Sequence, residues 1–301
     1  IDDEHDEQHQ EETLRDLTIP VGQLQRSEMR GRLARFSEES AEHKRVATDP
    51  LFGIENSFKV FYGQQSALND KAFMDAKRAQ EAELKAKIAA DPKLAAEIGD
   101  PWSEIEKAQA AYANNYLRYR QIEGGATYSN LYHYAEMLVR AAQERTKPSA
   151  DRLPEYAEAR LPLLEKQLLD VKPIDPALEE VSLGFWLSKT REYLTTDDAA
   201  VKAVLGKESP EGLAKRTVAG SKLADPAARK ALWDGGLAAI QASDDPMIQL
   251  VLRNDPAARA VRKTWDAEVA GPTDRAAERV ARAKFAAYGD AVYPDATFTP
   301  R

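Results

Sequence analysis

Four histidines, His5, His9, His43 and His133, come first, because a Ser-His-Asp base built within these 301 residues has to be one of them. His5 and His9 in HDEQH lie four apart, which puts two imidazoles on one helical face as a zinc site would. Asp6 stands where the glutamate of HExxH would act as general base, and no third ligand is indicated. The segment therefore reads as solvated acidic chain, and no metal or other cofactor is expected. His43 lies in the polar stretch EESAEHKR and His133 among tyrosines in SNLYHYAE. Neither accompanies a GxSxG turn or a glycine-rich oxyanion loop. The phosphate-binding patterns GxGxxG and GxxxxGK[ST] are absent, and with no cysteine there is no thiol nucleophile and no disulfide. Carboxylates are too numerous for a catalytic pair to stand out, so the chain is expected to carry no complete catalytic machinery.

Asn56 is the more pointed candidate. In LFGIENSFKVFYGQ, residues 51 to 64, it sits amid large apolar side chains. At about 100° per residue, Leu51, Ile54, Phe58, Phe61 and Tyr62 gather on one side, the face expected to pack. Phe52, Asn56, Val60 and Gly63 gather nearly opposite. A helix apolar on both sides is either buried all round or lines a cleft with its second face. An unpartnered buried amide costs about 1–3 kcal/mol, so Asn56 is either a satisfied core residue or a group held for a ligand. Tyr112, Tyr116 and Tyr119 share a helix face and read as packing residues, and Trp186 and Trp265 read as buried anchors.

The elements that hold these residues are helices. Ala, Glu, Lys, Leu and Arg dominate, and period-two alternation is rare. Asp-Pro recurs at 49–50, 91–92, 100–101, 175–176, 225–226, 245–246 and 255–256, each pairing an N-cap with a proline at the first helical position. The pattern predicts helices over 27–46, 50–90, 101–122, 127–146, 152–169, 176–194, 197–205, 210–220, 226–242, 246–253, 256–269 and 273–287. The fold class is an all-α multi-helix array with a short extended C-terminal segment. Residues 1–26 form an acidic N-terminal segment, 27–288 the helical body and 289–301, with two prolines in YPDATFTPR, an extended stretch leaving it. Linker-like Thr146–Ser149 and Val171–Pro173 are expected to separate two halves.

A net charge of −8 argues against non-specific nucleic-acid binding. No apolar run reaches the roughly 20 residues of a membrane span, and the first residues lack the basic and apolar regions of a signal peptide. On composition alone a free-standing α-helical interaction or scaffold protein remains an alternative reading.

Three blocks carry a resemblance: SEMRGRLARFSEESAEHKRVA, DPLFGIENSFKVFYGQQSALND and AAYGDAVYPDATFTPR. Together they resemble the helical domain of the bacterial dipeptidyl aminopeptidases of serine-peptidase family 46, over roughly residues 27 to 301. The resemblance implies a helical cap inserted in a chymotrypsin-like double β-barrel that carries the triad and lies outside this sequence. It also implies a periplasmic or surface-associated homodimer that releases dipeptides from peptides with a free N-terminus. Pro300 departs from the apolar residue expected there. Asn56 matches the family position that helps bind the substrate α-amino group, with Phe52, Ile54 and Val60 as further candidates for lining the pocket.

Overall fold

Five of the seven Asp-Pro pairs open helices by the capping geometry their chemistry predicts. Asp91, Asp100, Asp175, Asp225 and Asp245 each accept a backbone N–H from the first turn, at 2.9, 3.1, 2.8, 2.8 and 2.9 Å. The other two pairs lie inside helices. Asp49-Pro50 is overridden because Ser40 caps the helix earlier, its Oγ accepting from His43 N at 3.0 Å. Asp255-Pro256 does not start a helix because both Asp255 oxygens already accept from arginines.

The computed structural model describes residues 8–289, among which no strand forms. In chain order the helices are α1 (Gln8–Thr13), α2 (Ile19–Ser37), α3 (Ala41–Asn69), α4 (Lys71–Ala90), α5 (Pro92–Ile98), α6 (Pro101–Arg118), α7 (Asn130–Glu144) and α8 (Leu161–Leu168). They continue with α9 (Pro176–Leu194), α10 (Ala199–Leu205), α11 (Pro210–Gly220), α12 (Pro226–Ala242), α13 (Pro246–Trp265) and α14 (Gly271–Tyr288). Wider turns of π type occupy Leu14–Thr18, Tyr119–Glu123 and Asp266–Ala270. The all-α expectation holds. Several boundaries are corrected. The break expected between 46 and 50 falls at 38–40, and the long helix expected over 50–90 divides at Asp70, whose carboxylate caps α4 through Ala72 N (2.8 Å) and Phe73 N (3.1 Å). Residues 149–160 form three short 3₁₀ turns instead of the start of a helix. Residues 8–26 of the acidic segment are helical, with Ile19 buried. The extended stretch expected at 289–301 lies, apart from Gly289, outside the described residues.

The chain forms two compact units, the first from Ile1–Arg30, Pro50–Tyr116 and Lys263–Arg301, the second from Gly31–Asp49 and Leu117–Arg262. Both expected linkers therefore lie inside the second unit, not between halves. In the first, residues 8–30 run antiparallel to residues 55–81. Lys77 pairs with Glu11 at 2.5 Å, Arg78 with Glu12 at 3.2 Å and Arg30 with Glu55, while Arg26 lies 3.9 Å over the Phe61 ring. Ile19, Leu68 and Met74 form the apolar seam between the two strings. A separate cluster, Leu84, Ile88, Ile98, Trp102, Ile105, Ala276, Val280 and Ala283, joins α4, α5, α6 and α14.

The second unit is built around α7, which is buried on nearly every side among α9, α11, α12 and α13. Its N-terminus is closed by the buried Glu179 carboxylate, which accepts from Ser129 Oγ (2.6 Å), Asn130 N (3.0 Å), Asn130 Nδ2 (3.1 Å) and Leu131 N (3.2 Å). Negative charge there complements the helix dipole and satisfies otherwise orphaned donors. Carbonyls at the 119–123 turn are taken up by side chains: Trp186 Nε1 donates to Gln121 O (2.7 Å) and Asn254 Nδ2 to Ile122 O (2.8 Å). Arg229 is 1% exposed and donates to the carbonyls of Leu168, Leu223, Ala224 and Asp170, its guanidinium 4.1 Å over the Tyr134 ring.

Gly125 leads into α7 with φ of +58°, and a Cβ there would lie 2.6 Å from Tyr132 Cε1. Tyr132 cannot retreat easily, since it packs 4.8 Å from Trp186 and its hydroxyl accepts from Asn254 at 3.0 Å. Gly125→Ala is therefore expected to destabilise the second unit by about 1–3 kcal/mol, through a left-handed backbone and an overpacked ring. Thermal unfolding followed by circular dichroism checks this, and an unchanged midpoint would refute it.

Candidate functional site

Asn56 lies in the part of α3 that belongs to the first unit. Its helix is held in rotation by the pairing already described, with Arg30 on Glu55 and Arg26 over Phe61 as successive rungs. Those rungs turn the stripe of Phe52, Asn56, Val60 and Gly63 outward. Phe52 is 67% exposed and Val60 57%, and a Cβ added at Gly53 or Gly63 would meet nothing within 4 Å. Ile54, by contrast, is buried, and Ser57 bonds the Ile54 carbonyl at 2.6 Å. Asn56 itself is half-buried, and its amide has no hydrogen-bond partner among the described residues. Among the described residues the second face is thus neither core nor a closed cleft. Tyr62, expected on the packing face, is 74% exposed and widens the outward apolar surface, and on α2 Leu24 is 68% exposed.

This surface offers an amide that can accept from an ammonium or donate to a carbonyl, set between an aromatic ring and an aliphatic side chain. Among the described residues no serine–histidine pair is assembled beside it. His43 stacks on Phe36 at 4.1 Å with Nδ1 at 3.1 Å from Glu39, and His133 is exposed. No described imidazole is hydrogen-bonded to a serine hydroxyl. His9 lies 3.9 Å from Glu12, His5 is outside the described residues, and the described residues contain no group of three or more ligands able to hold a metal. Among them no helix is long and apolar enough to cross a membrane. Tyr112 and Tyr116 stack at 5.2 Å, with Trp265 4.9 Å from Tyr112 and Thr18 Oγ1 2.9 Å from the Tyr112 hydroxyl, which is packing as the periodicity implied. Trp186 is buried, while Trp265 is half-buried.

The densest electrostatics lie in the second unit. Arg140 on α7 holds Glu123 through Nη1 (2.9 Å) and Nη2 (2.6 Å) and Asp255 of α13 through Nε (3.1 Å), all three buried. Burial works against the charged guanidinium, but its hydrogen bonds to Glu123 and the charges of Glu136, Glu123 and Asp255 outweigh it and raise its pKa. Glu136, one turn before Arg140, stands 3.5 Å from Nη2 with no hydrogen bond of its own among the described residues. Burial pushes its carboxyl up to about 7 despite Arg140, with Glu123, Asp255 and Glu155 adding to the rise. Enclosed as they are, these groups form a structural network with one surplus carboxylate.

The model of the peptidase S46 family matches residues 3–301. The chain belongs to that family. Membership relates it to the dipeptidyl aminopeptidases, hydrolases of peptide bonds. No curated protein matches the chain. In this S46 chain, then, Phe52, Asn56 and Val60 come together on one outward face, and Ile54 does not join them. Reading the sequence missed Leu24 and the Arg140 network. The network had a signal: Glu136, Arg140 and Glu144 recur at spacings of four within the otherwise apolar α7.

Proposed function

We propose that this S46 chain is the substrate-recognition part of a serine-type dipeptidyl aminopeptidase, in which Asn56 helps bind the free α-amino group of the peptide. One observation carries the reading: an amide without a hydrogen-bond partner among the described residues, half-buried at the centre of an outward face between Phe52 and Val60. The amide carbonyl accepts from the substrate ammonium without adding a second charge that would need desolvation. Phe52 and Val60 pack on the first substrate side chains. Fixing the ammonium at a set distance from the nucleophile determines how many residues are released.

The Ser, His and Asp of the reaction reside on a chymotrypsin-like catalytic domain outside these 301 residues, and the helical part caps and gates its cleft. The whole enzyme is a homodimer of the periplasm or cell surface. In that enzyme Asn56→Ala lowers kcat/KM by one interaction's worth, about 10–100-fold, with the triad's pH profile unchanged. Steady-state kinetics on dipeptidyl fluorogenic substrates measures this, and an unaltered kcat/KM would remove Asn56 from the site.

A scaffold reading draws on the exposed Leu24, Phe52, Val60 and Tyr62, which could equally receive a partner helix. The two differ in a single assay: loss of peptidase activity in Asn56→Ala with unchanged assembly supports recognition, and the reverse supports the scaffold.

A further inference from the structure

An open surface pocket of about 340 Å³ in the second unit takes no part in the proposed recognition of the substrate. One wall is helical: Glu158, Leu161 and Glu165 recur at spacings of three and four, from the last 3₁₀ turn into α8. The rest of the lining is Arg145, Arg152, Pro162 and Trp233. The lining therefore carries both signs of charge beside apolar surface.

The charges are not fully used within the protein. Arg145 Nη1 donates to Trp233 O at 2.8 Å with its guanidinium 5.1 Å from the Trp233 ring, so its bonded partner is a neutral carbonyl. Glu165 lies 3.7 Å from Lys230, which also holds both oxygens of Asp234 at 2.5 Å, so its cation is shared with a nearer acid. Arg152, with its side chain 10% exposed, is occupied: Nε donates to Lys147 O at 2.9 Å and Nη1 to Glu158 at 2.7 Å. Among the described residues, one cationic corner bonded only to a neutral carbonyl and one under-matched anionic corner thus flank an indole. A ligand that satisfies all three has a carboxylate, an ammonium and an apolar side chain in one small molecule, and the volume is at the lower end of small-molecule sites.

We propose that this pocket binds an unblocked short peptide, with its α-carboxylate on Arg145, its α-ammonium on Glu165 and a side chain against Trp233 and Leu161. The choice of a peptide over a free amino acid rests on the proposed function, because release of dipeptides generates this ligand. The site then senses product away from the α3 face.

Titrating the 301-residue chain with the dipeptide Gly-Leu, followed at the tryptophan indole ¹⁵N–H resonances, tests the assignment. Saturable binding with a Kd on the order of 1 mM is expected, weakened at least about tenfold by amidating the C-terminus or acetylating the N-terminus. Arg145→Gln should remove sensitivity to amidation, and Glu165→Gln, at a half-exposed position, sensitivity to acetylation. Circular dichroism confirms that each variant is folded. No saturation by about 20 mM, or binding indifferent to both substitutions, overturns the proposal. Free leucine bound as tightly as Gly-Leu overturns the assignment to a peptide. Binding abolished by Asn56→Ala instead assigns the signal to the α3 face, and the pocket fails while the recognition reading stands.

Discussion

Arg140→Leu should destabilise the second unit by about 3–5 kcal/mol, the cost of leaving buried charges without their partner. Glu123 is bound at both oxygens by this one guanidinium, and Arg262 stands farther off, at 3.6 Å. Asp255 keeps Arg259 at 2.8 Å, so Glu123 bears most of the loss. The consequence extends beyond an ion pair, because Glu123 ends the wide turn Tyr119–Glu123 whose carbonyls anchor Trp186 and Asn254. Lysine should rescue only part of the loss, since an ammonium cannot reproduce two parallel bonds and a third at Nε. Urea unfolding monitored by tryptophan fluorescence, to which Trp186 and Trp233 of this unit contribute, gives the comparison. A leucine variant within about 0.5 kcal/mol of the wild type would mean the network is dispensable.

That network also marks where the sequence was silent. Helix starts were legible when the capping carboxylate was not held by an arginine: Asp175 and Asp225 cap, and the cations that act on them, Arg45 and Arg229, form no ion pair with them among the described residues. Asp255 carries the same dipeptide, but Arg140 and Arg259 claim its oxygens from sites far along the chain or on the same helix. A local rule cannot see that competition. The break at Asp70 was missed for the opposite reason, since an Asn-Asp pair without proline or glycine looks like ordinary helix surface.

The α3 face was half legible. Periodicity separated Asn56, Phe52 and Val60 from Ile54, and the structure keeps that separation. Exposure was not legible, because a second apolar stripe says only that something covers it in some state. Tyr62 went astray because its angular position lies at the edge of the packing face, where the antiparallel partner decides. Arg26 covers Phe61 and leaves Tyr62 outside. The same rungs matter for recognition: a clamp on Glu55 fixes the azimuth of Asn56, so loosening Arg30 would misdirect the amide without touching it.

Stability should fall as pH rises from about 4.5 to about 7, and Glu136→Gln should abolish that fall. Glu136 faces Glu123 from the wide turn, Arg140 and the Tyr132 phenol from its own helix, Glu155 and Tyr156 from the 3₁₀ turn, and Asp255 from α13. Arg140 is already committed to two other carboxylates, so ionising Glu136 adds an unmatched negative charge. The folded protein keeps the proton to about pH 7, whereas the unfolded chain releases it near 4.5. Between those values the folded state binds more protons, so raising the pH favours unfolding, and above about 7 the loss is complete. At about 1.4 kcal/mol per pH unit the loss is at most about 3.5 kcal/mol. Glu144 and Glu155 act in the other direction. Burial alone would raise them, but Lys147, Leu153 N and Arg259 on Glu144, and Arg262 on Glu155, hold them below the usual carboxylate range. Their contribution is present above the unfolded range and disappears in acid, which leaves a maximum on the acid side of neutrality. Glutamine mimics the protonated acid, so the variant should match the wild type near pH 4.5 and exceed it at pH 8. Urea midpoints measured across pH 4.5 to 8 decide the matter: parallel curves for the two proteins would show that Glu136 ionises without consequence.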